Sequence, residues 1–399
     1  MIDLHGEIAA YVGYERVAVM FFGKGFRIAR IGGINISVDY SWFIIFGLLV
    51  FMLSSLYLPQ LVVGRAIAHY WLAGLAISLL FFGSVLVHEL SHAVVARRAG
   101  IPINNIVLFI FGGVSQMEDE PGTPWDEFKM AIAGPLASVG IAIVFLGITF
   151  LAALAGSRLW VVGFSYLWFI NALLAVFNMI PGFPLDGGRV FRAFLWRVTG
   201  SLHRGTQIAA TTGQGFGWLF IAVGVGGIFW PPLRPFGTLW LALIGWFLVS
   251  AARSSYQQLL MRETLSQVPV TDVMTATVET VSPSLTVEEL ASEYIVRNHV
   301  SSFLVEEGGH PLGIVTIDDV RAVPREEWTT RYVRDIVHPL RDGQEVHPGD
   351  DAWNAANRMA QTGQEQILVT DQDHVEGMVT RGAIMRWLQT HGRFAPGHA

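Results

Sequence analysis

Long apolar stretches separated by short polar breaks dominate the first two thirds of the chain, and then the pattern changes to short alternating runs. The apolar stretches cover 41–58, 71 to about 96, 130–155, 160–180, a glycine-rich 213–230, and 236–252. Each reaches or approaches the roughly 20 residues a helix needs to cross a bilayer, which predicts six spanning helices. Residues 26–38 alternate with a two-residue period interrupted at Gly32-Gly33, and predict short strands or an interfacial lead-in. Residues 106–117 (IVLFIFGGVSQM) are apolar but too short to cross. With Gly112 and Gly113 at the middle they predict a re-entrant hairpin or a loop at the interface, since non-helical backbone at membrane depth survives only inside protein or along a wet cavity. A hairpin edge there could accept an extended substrate by strand addition.

Beyond residue 270 one unit is written twice. Val270-Thr-Asp-Val273 returns as Val333-Arg-Asp-Ile336, and Gly313-Ile-Val-Thr316 as Gly377-Met-Val-Thr380, at offsets of 63 and 64 residues. That spacing predicts a duplicated β-α-β-β-α arrangement. The expected organisation is an N-terminal cytoplasmic or interfacial segment (1–39), a transmembrane domain (40–262), two repeats (271–323 and 333–388) and a flexible tail (389–399).

Composition agrees: 52% of the 399 residues are hydrophobic and 15% charged. The fold class expected is a multi-pass α-helical membrane protein followed by a soluble α/β module. No cleavable signal peptide is expected, because the first apolar cluster, 17–22, is too short. From Thr271 onward the chain holds 20 acids against 10 arginines and no lysine, whereas the first 270 residues hold 12 acids and 16 bases. No basic stripe suited to nucleic acid is present. Of those sixteen bases, only Arg65, Arg158 and Arg234 fall in loops on one side, so the other thirteen predict both termini in the cytoplasm.

The sequence contains no cysteine, so any metal must be held by histidine, carboxylate, carbonyl or water. Within the second apolar stretch lie His88, Glu89 and His92. Positions i and i+4 share a helix face, so both imidazoles can reach one ion, and Glu89 beside them can take a proton from an activated water. Ionisable groups in a spanning helix are costly and are retained for function. His88 precedes Arg97 by nine residues, roughly 14 Å along a helix, which predicts an immersed site nearer the cytoplasm. Two histidines leave zinc under-coordinated. Of the other acids before residue 271, only Asp186 lies in a stretch continuous with a span, Asn178-Met-Ile-Pro-Gly-Phe-Pro-Leu-Asp-Gly-Gly-Arg189. Asp186 is therefore either a third ligand or simply the N-cap of a helix over 189–198.

Four segments together resemble the site-2 protease family of intramembrane zinc metalloproteases: HELSH (88–92), FGG (111–113), AGPL (133–136) and the N-x-x-P-x-x-P-L-D-G-G run (178–188). The resemblance extends from about Gly33 to Arg262. It implies that His88, His92 and Asp186 ligate one zinc ion, that Glu89 is general base and then acid, and that Asn178 orients the substrate or its reacting carbonyl. It also implies a regulatory single-span membrane protein as substrate, such as a membrane-held transcription factor or anti-sigma factor. A helical substrate hides its carbonyls, so local unwinding against the Gly112-Gly113 hairpin is expected. Two positions depart from the family pattern: Ser138 stands where asparagine is frequent and Asp39 where histidine is. Neither is expected to touch the metal set.

The repeats resemble a tandem pair of CBS domains, which pack as a pseudo-dimer and bind adenine nucleotides. Thr316 and Asp319 match the positions that hold ribose. In the second copy Thr380 is kept and Ala383 replaces the acid, so one ATP-, ADP- or AMP-binding site is expected, or none, with the pair serving dimerisation or docking. Homodimerisation through the pair is a further expectation. The rival readings are a CBS-regulated transporter or channel, which needs ionisable groups along a pathway, and a silent receptor with closed, four-ligand zinc.

Overall fold

A computed structural model of the chain describes residues 25–110, 112–117, 121–230, 238–276, 278–295, 302–308, 310–339, 345–362, 364, 366–371 and 374–391. It divides into two compact units, Met1–Leu259 and Leu260–Ala399. The first carries the six helices long and apolar enough to cross a membrane. These are α1 (Tyr40–Leu61), α2 (Ile67–Arg98), α3 (Pro124–Leu154), α4 (Arg158–Asn178), α6 (Leu202–Phe229) and α7 (Thr238–Leu265). Between α4 and α6 the shorter α5 (Asp186–Thr199) starts from the proline-containing turn. Asp39 begins α1, accepting a hydrogen bond from Ser41 N at 2.8 Å, and so satisfies one of the amides that a helix start leaves without a partner.

The alternating lead-in forms β1 (Gly25–Ile31) and β2 (Ile34–Asp39), and the short apolar segment forms the hairpin β3 (Ile103–Phe109) and β4 (Gly112–Met117). All four share one sheet in the order β1-β2-β3-β4, with β2 parallel to β3 and the other pairs antiparallel. Ile34, Ile36, Ile103 and Ile106 pack with Ala93 and Ala96, so one sheet face is buried against the last turns of α2. Arg97 Nη1 donates to Gly32 O, tying the β1–β2 turn to the same helix. Phe111 and residues 1–24 lie outside the described residues.

A buried ion pair fastens α5 to α3. Glu127 is 0% exposed, and its Oε1 accepts from Arg192 Nε at 2.6 Å and from Nη2. Arg192 also stacks over Phe183, 5.2 Å from the ring centroid. Removing one member strands the other charge, which costs roughly 3–5 kcal/mol. Arg192→Leu is therefore expected to melt well below the wild type in detergent, and Glu127→Leu/Arg192→Leu to recover most of that loss.

In the second unit each copy has the β-α-β-β-α order. The first runs β5 (Thr280–Val281), α8 (Val287–Glu289, continuing as the wider turns Leu290–Ile295), β6 (Ser302–Glu307), β7 (His310–Thr316) and α9 (Ile317–Ala322). A two-residue β8 (His338–Pro339) adds to β7. The second copy runs β9 (Glu345–Val346), α10 (Ala352–Thr362), β10 (Gln366–Asp371), β11 (His374–Thr380) and α11 (Arg381–His391). Each copy has its own core, and Leu304 and Ile314 of the first pack with Leu368 and Met378 of the second. The tail beyond residue 391 lies outside the described residues.

Candidate metal centre

Helix α2 is long and apolar, and its polar break places His88 and His92 one turn apart on a buried face, 4% and 7% exposed. Their Nε2 atoms are 3.2 Å apart. The proline-containing turn brings in Asp186, whose Oδ2 lies 3.1 Å from His88 Nε2 and 3.2 Å from His92 Nε2. Asp186 is the first residue of α5, and the N-cap is Leu185 without a side-chain cap bond, so the capping alternative is not what the carboxylate does. Gly187 and Gly188 have no Cβ where the 179–183 backbone packs over them.

The donor chemistry fits a cation. His92 Nδ1 is 2.7 Å from Met130 O, an acceptor only, so the neutral ring carries its proton on Nδ1 and a lone pair on Nε2. A lone pair facing a carboxylate oxygen at 3.2 Å is repulsive unless a proton or metal ion lies between them. Tetrahedral zinc with bonds of about 2.0–2.1 Å separates its ligand atoms by about 3.3 Å, close to the three distances found here. Among the described residues, His88, His92 and Asp186 form the one cluster of this kind.

Glu89 is half-buried on the adjoining side of α2, and β4 passes directly beside it. A Cβ built on Gly113 would lie 2.5 Å from Glu89 Cγ and 3.0 Å from Cδ, so only glycine permits this approach. The hairpin glycine and the carboxylate, separate in sequence, thus meet. Asn178 ends α4 half-buried, eight positions before Asp186.

The family model for Peptidase family M50 matches residues 76–159 and 152–222, and the CBS domain model matches 270–326 and 333–390. A Synechocystis protein provisionally named a zinc metalloprotease is 34% identical over 380 residues, 93% of this chain and 97% of that protein. The chain belongs to peptidase family M50. A Mycobacterium tuberculosis relative, also provisionally named a zinc metalloprotease, is 34% identical to this M50 peptidase over 91% of the chain and 93% of its own length. A solved structure described as the site-2 protease from Methanocaldococcus jannaschii is similar over 58% of this chain and 95% of that one, at 28% identity and a TM-score of 0.41. From the family models, the two relatives and the six apolar helices, the chain is a multi-pass membrane metalloprotease of family M50 with tandem CBS domains.

Reasoning from sequence missed the neighbours that hold this M50 centre. Ser138, expected to stand clear of the metal set, has its Oγ 2.9 Å from His88 Nδ1. A Cβ on Gly134 would overlap His92 Nε2 and lie 2.6 Å from His88 Nε2. The signal was there: 130, 134 and 138 repeat the four-residue step of 88 and 92.

At the CBS pair, Thr316 and Asp319 close a capping box on α9, with Thr316 N and Oγ1 donating to Asp319 Oδ2 at 2.8 and 2.7 Å. His338 Nε2 lies 2.8 Å from the other oxygen. Burial pushes the Asp319 carboxyl up, but the Thr316 and His338 hydrogen bonds outweigh it and hold the group below its usual range. In the second copy, Thr380 Oγ1 accepts from Ala383 N at 3.1 Å, without an acid.

Proposed function

We propose that this peptidase hydrolyses a peptide bond within or next to the spanning segment of a single-span membrane protein, using the HExxH pair His88 and His92 with Asp186 to hold one zinc ion. The observation that carries the reading is the convergence of two histidine Nε2 atoms and one carboxylate oxygen beside Glu89. Zinc held there supplies a Lewis acid for the scissile carbonyl and makes water a stronger acid. Glu89 accepts a proton from the attacking water as its oxygen bonds to the carbonyl carbon, and returns it to the amide nitrogen as the C–N bond breaks.

A helical substrate hides its carbonyls, so the reacting segment must be extended. Strand β4 has β3 on one side and, among the described strands, no neighbour on the other, and its Gly113 lies against Glu89. An unwound segment added to that edge would pass the general base. Asn178 orients the substrate carbonyl. Both termini face the cytoplasm, by the distribution of basic residues. Regulatory proteins, such as membrane-held transcription factors or anti-sigma factors, are the substrate class, and an adenine nucleotide at Thr316 and Asp319 adjusts access.

Co-reconstitution with a single-span reporter tests the reading. The expected result is release of the reporter's soluble part, stopped by a chelator, restored by zinc, and altered in rate by ATP, ADP or AMP. A reporter left intact by zinc-loaded protein, or cut equally well in chelator, would overturn the protease assignment. An unchanged rate would overturn the nucleotide arm alone.

A further inference from the structure

Helix α3 meets the two histidines with three features at successive four-residue steps: the carbonyl of Met130, the bare Cα of Gly134 and the hydroxyl of Ser138. Residues four apart lie on one helix face, and His88 and His92 have the same step on α2. His92 meets residue 130 and His88 meets residue 138, so the two stripes run in opposite directions and match rung for rung.

The two outer rungs differ in kind. Met130 contributes backbone, which no substitution removes, and a carbonyl only accepts, which fixes the His92 tautomer. Ser138 contributes a side chain, 0% exposed, so bulk water does not compete for His88 Nδ1. A hydroxyl can accept or donate, and the partner at Nε2 decides which. With Nε2 turned toward Asp186 and His92, Nδ1 carries the proton and Ser138 Oγ accepts it.

We propose that Ser138 is a positioning residue of the metal centre, holding the His88 ring and tautomer so that the Nε2 lone pair faces the ion. This rests on the zinc reading above. Without the hydroxyl, the His88 N–H is buried with its acceptor gone, and the ring gains by turning or by moving its proton to Nε2, either of which withdraws a ligand. Partners of this type typically change metal affinity by about 10–100-fold.

The test is zinc affinity of the full chain in detergent, measured by competition with a chromophoric chelator and read beside the melting temperature of the metal-free protein. Ser138→Ala and the similarly sized Ser138→Cys, whose thiol accepts poorly, are expected to weaken zinc by about 10–100-fold while the metal-free melting temperature stays near wild type. Zinc affinity within about twofold of wild type in the alanine variant would overturn the proposal. So would a fall in metal-free melting temperature in both variants large enough to account for the loss, which would make Ser138 a packing residue. His88→Ala separates the two levels of argument: if it binds zinc like the wild type, the metal assignment itself fails.

Discussion

Replacing Glu89 by glutamine is expected to slow substrate cleavage by about 10²–10⁴-fold while zinc remains bound. Glutamine keeps the shape and the packing against Gly113, where a Cβ would already sit 2.5 Å from Cγ, so the site is neither opened nor crowded. It cannot take a proton from water or return one to the leaving nitrogen. The convergent His88, His92 and Asp186 atoms do not include Glu89, so metal content should be unchanged. Single-turnover cleavage of a reconstituted single-span reporter, with zinc counted by elemental analysis, reads both quantities. Glu89→Gln protein that keeps its zinc and cuts at the wild-type rate would remove Glu89 from the chemistry.

The six spans were legible because run length and apolarity are properties of whole segments, which one or two exceptional residues do not disturb. Their ends were less so. Helix α6 begins at Leu202, eleven positions before the apolar run at 213, through a polar, small-residue stretch in which Ala209 and Ala210 pack on Phe183. Burial against another element, not local hydropathy, sustains the helix there. The strands of 26–38 could be read from alternation, but not their parallel pairing with 103–109, since partners about seventy residues apart leave no local mark in either segment. The histidines and Asp186 were visible because charge in an apolar setting is conspicuous. Ser138 was visible only as a departure from a family pattern, and a serine in a spanning helix is chemically unremarkable until its distance to His88 is known. Thr316 and Asp319 match ribose-contact positions by resemblance alone, and what the geometry gives them is a structural task, capping α9.

Gly134→Ala is the second large effect, and it sets helix propensity against the metal centre. Alanine is the better helix former by about 1 kcal/mol, so α3 considered alone should gain. The added methyl, however, would overlap His92 Nε2 and lie 2.6 Å from His88 Nε2 and 2.7 Å from His92 Cε1. Carbon needs roughly 3.5–4.0 Å from a non-bonded neighbour, so either the rings turn away or α3 backs off. Backing off is opposed on both sides, by Met130 on His92 and Ser138 on His88 above and below residue 134, and by the buried Glu127–Arg192 pair nearer the helix start. The rings should therefore yield, because turning them gives up only their own bonds to α3, whereas a retreat of α3 gives up those bonds and disturbs the buried Glu127–Arg192 pair besides. Zinc affinity is expected to fall by at least about 100-fold and cleavage to drop below detection, while the metal-free protein still folds. Chelator competition and metal-free melting, measured on the same preparation, separate those outcomes. A Gly134→Ala variant with wild-type zinc affinity would mean that α3 can retreat without disturbing the ligands, and the closeness of this helix to the imidazoles would then be a consequence of packing and not a condition for the metal.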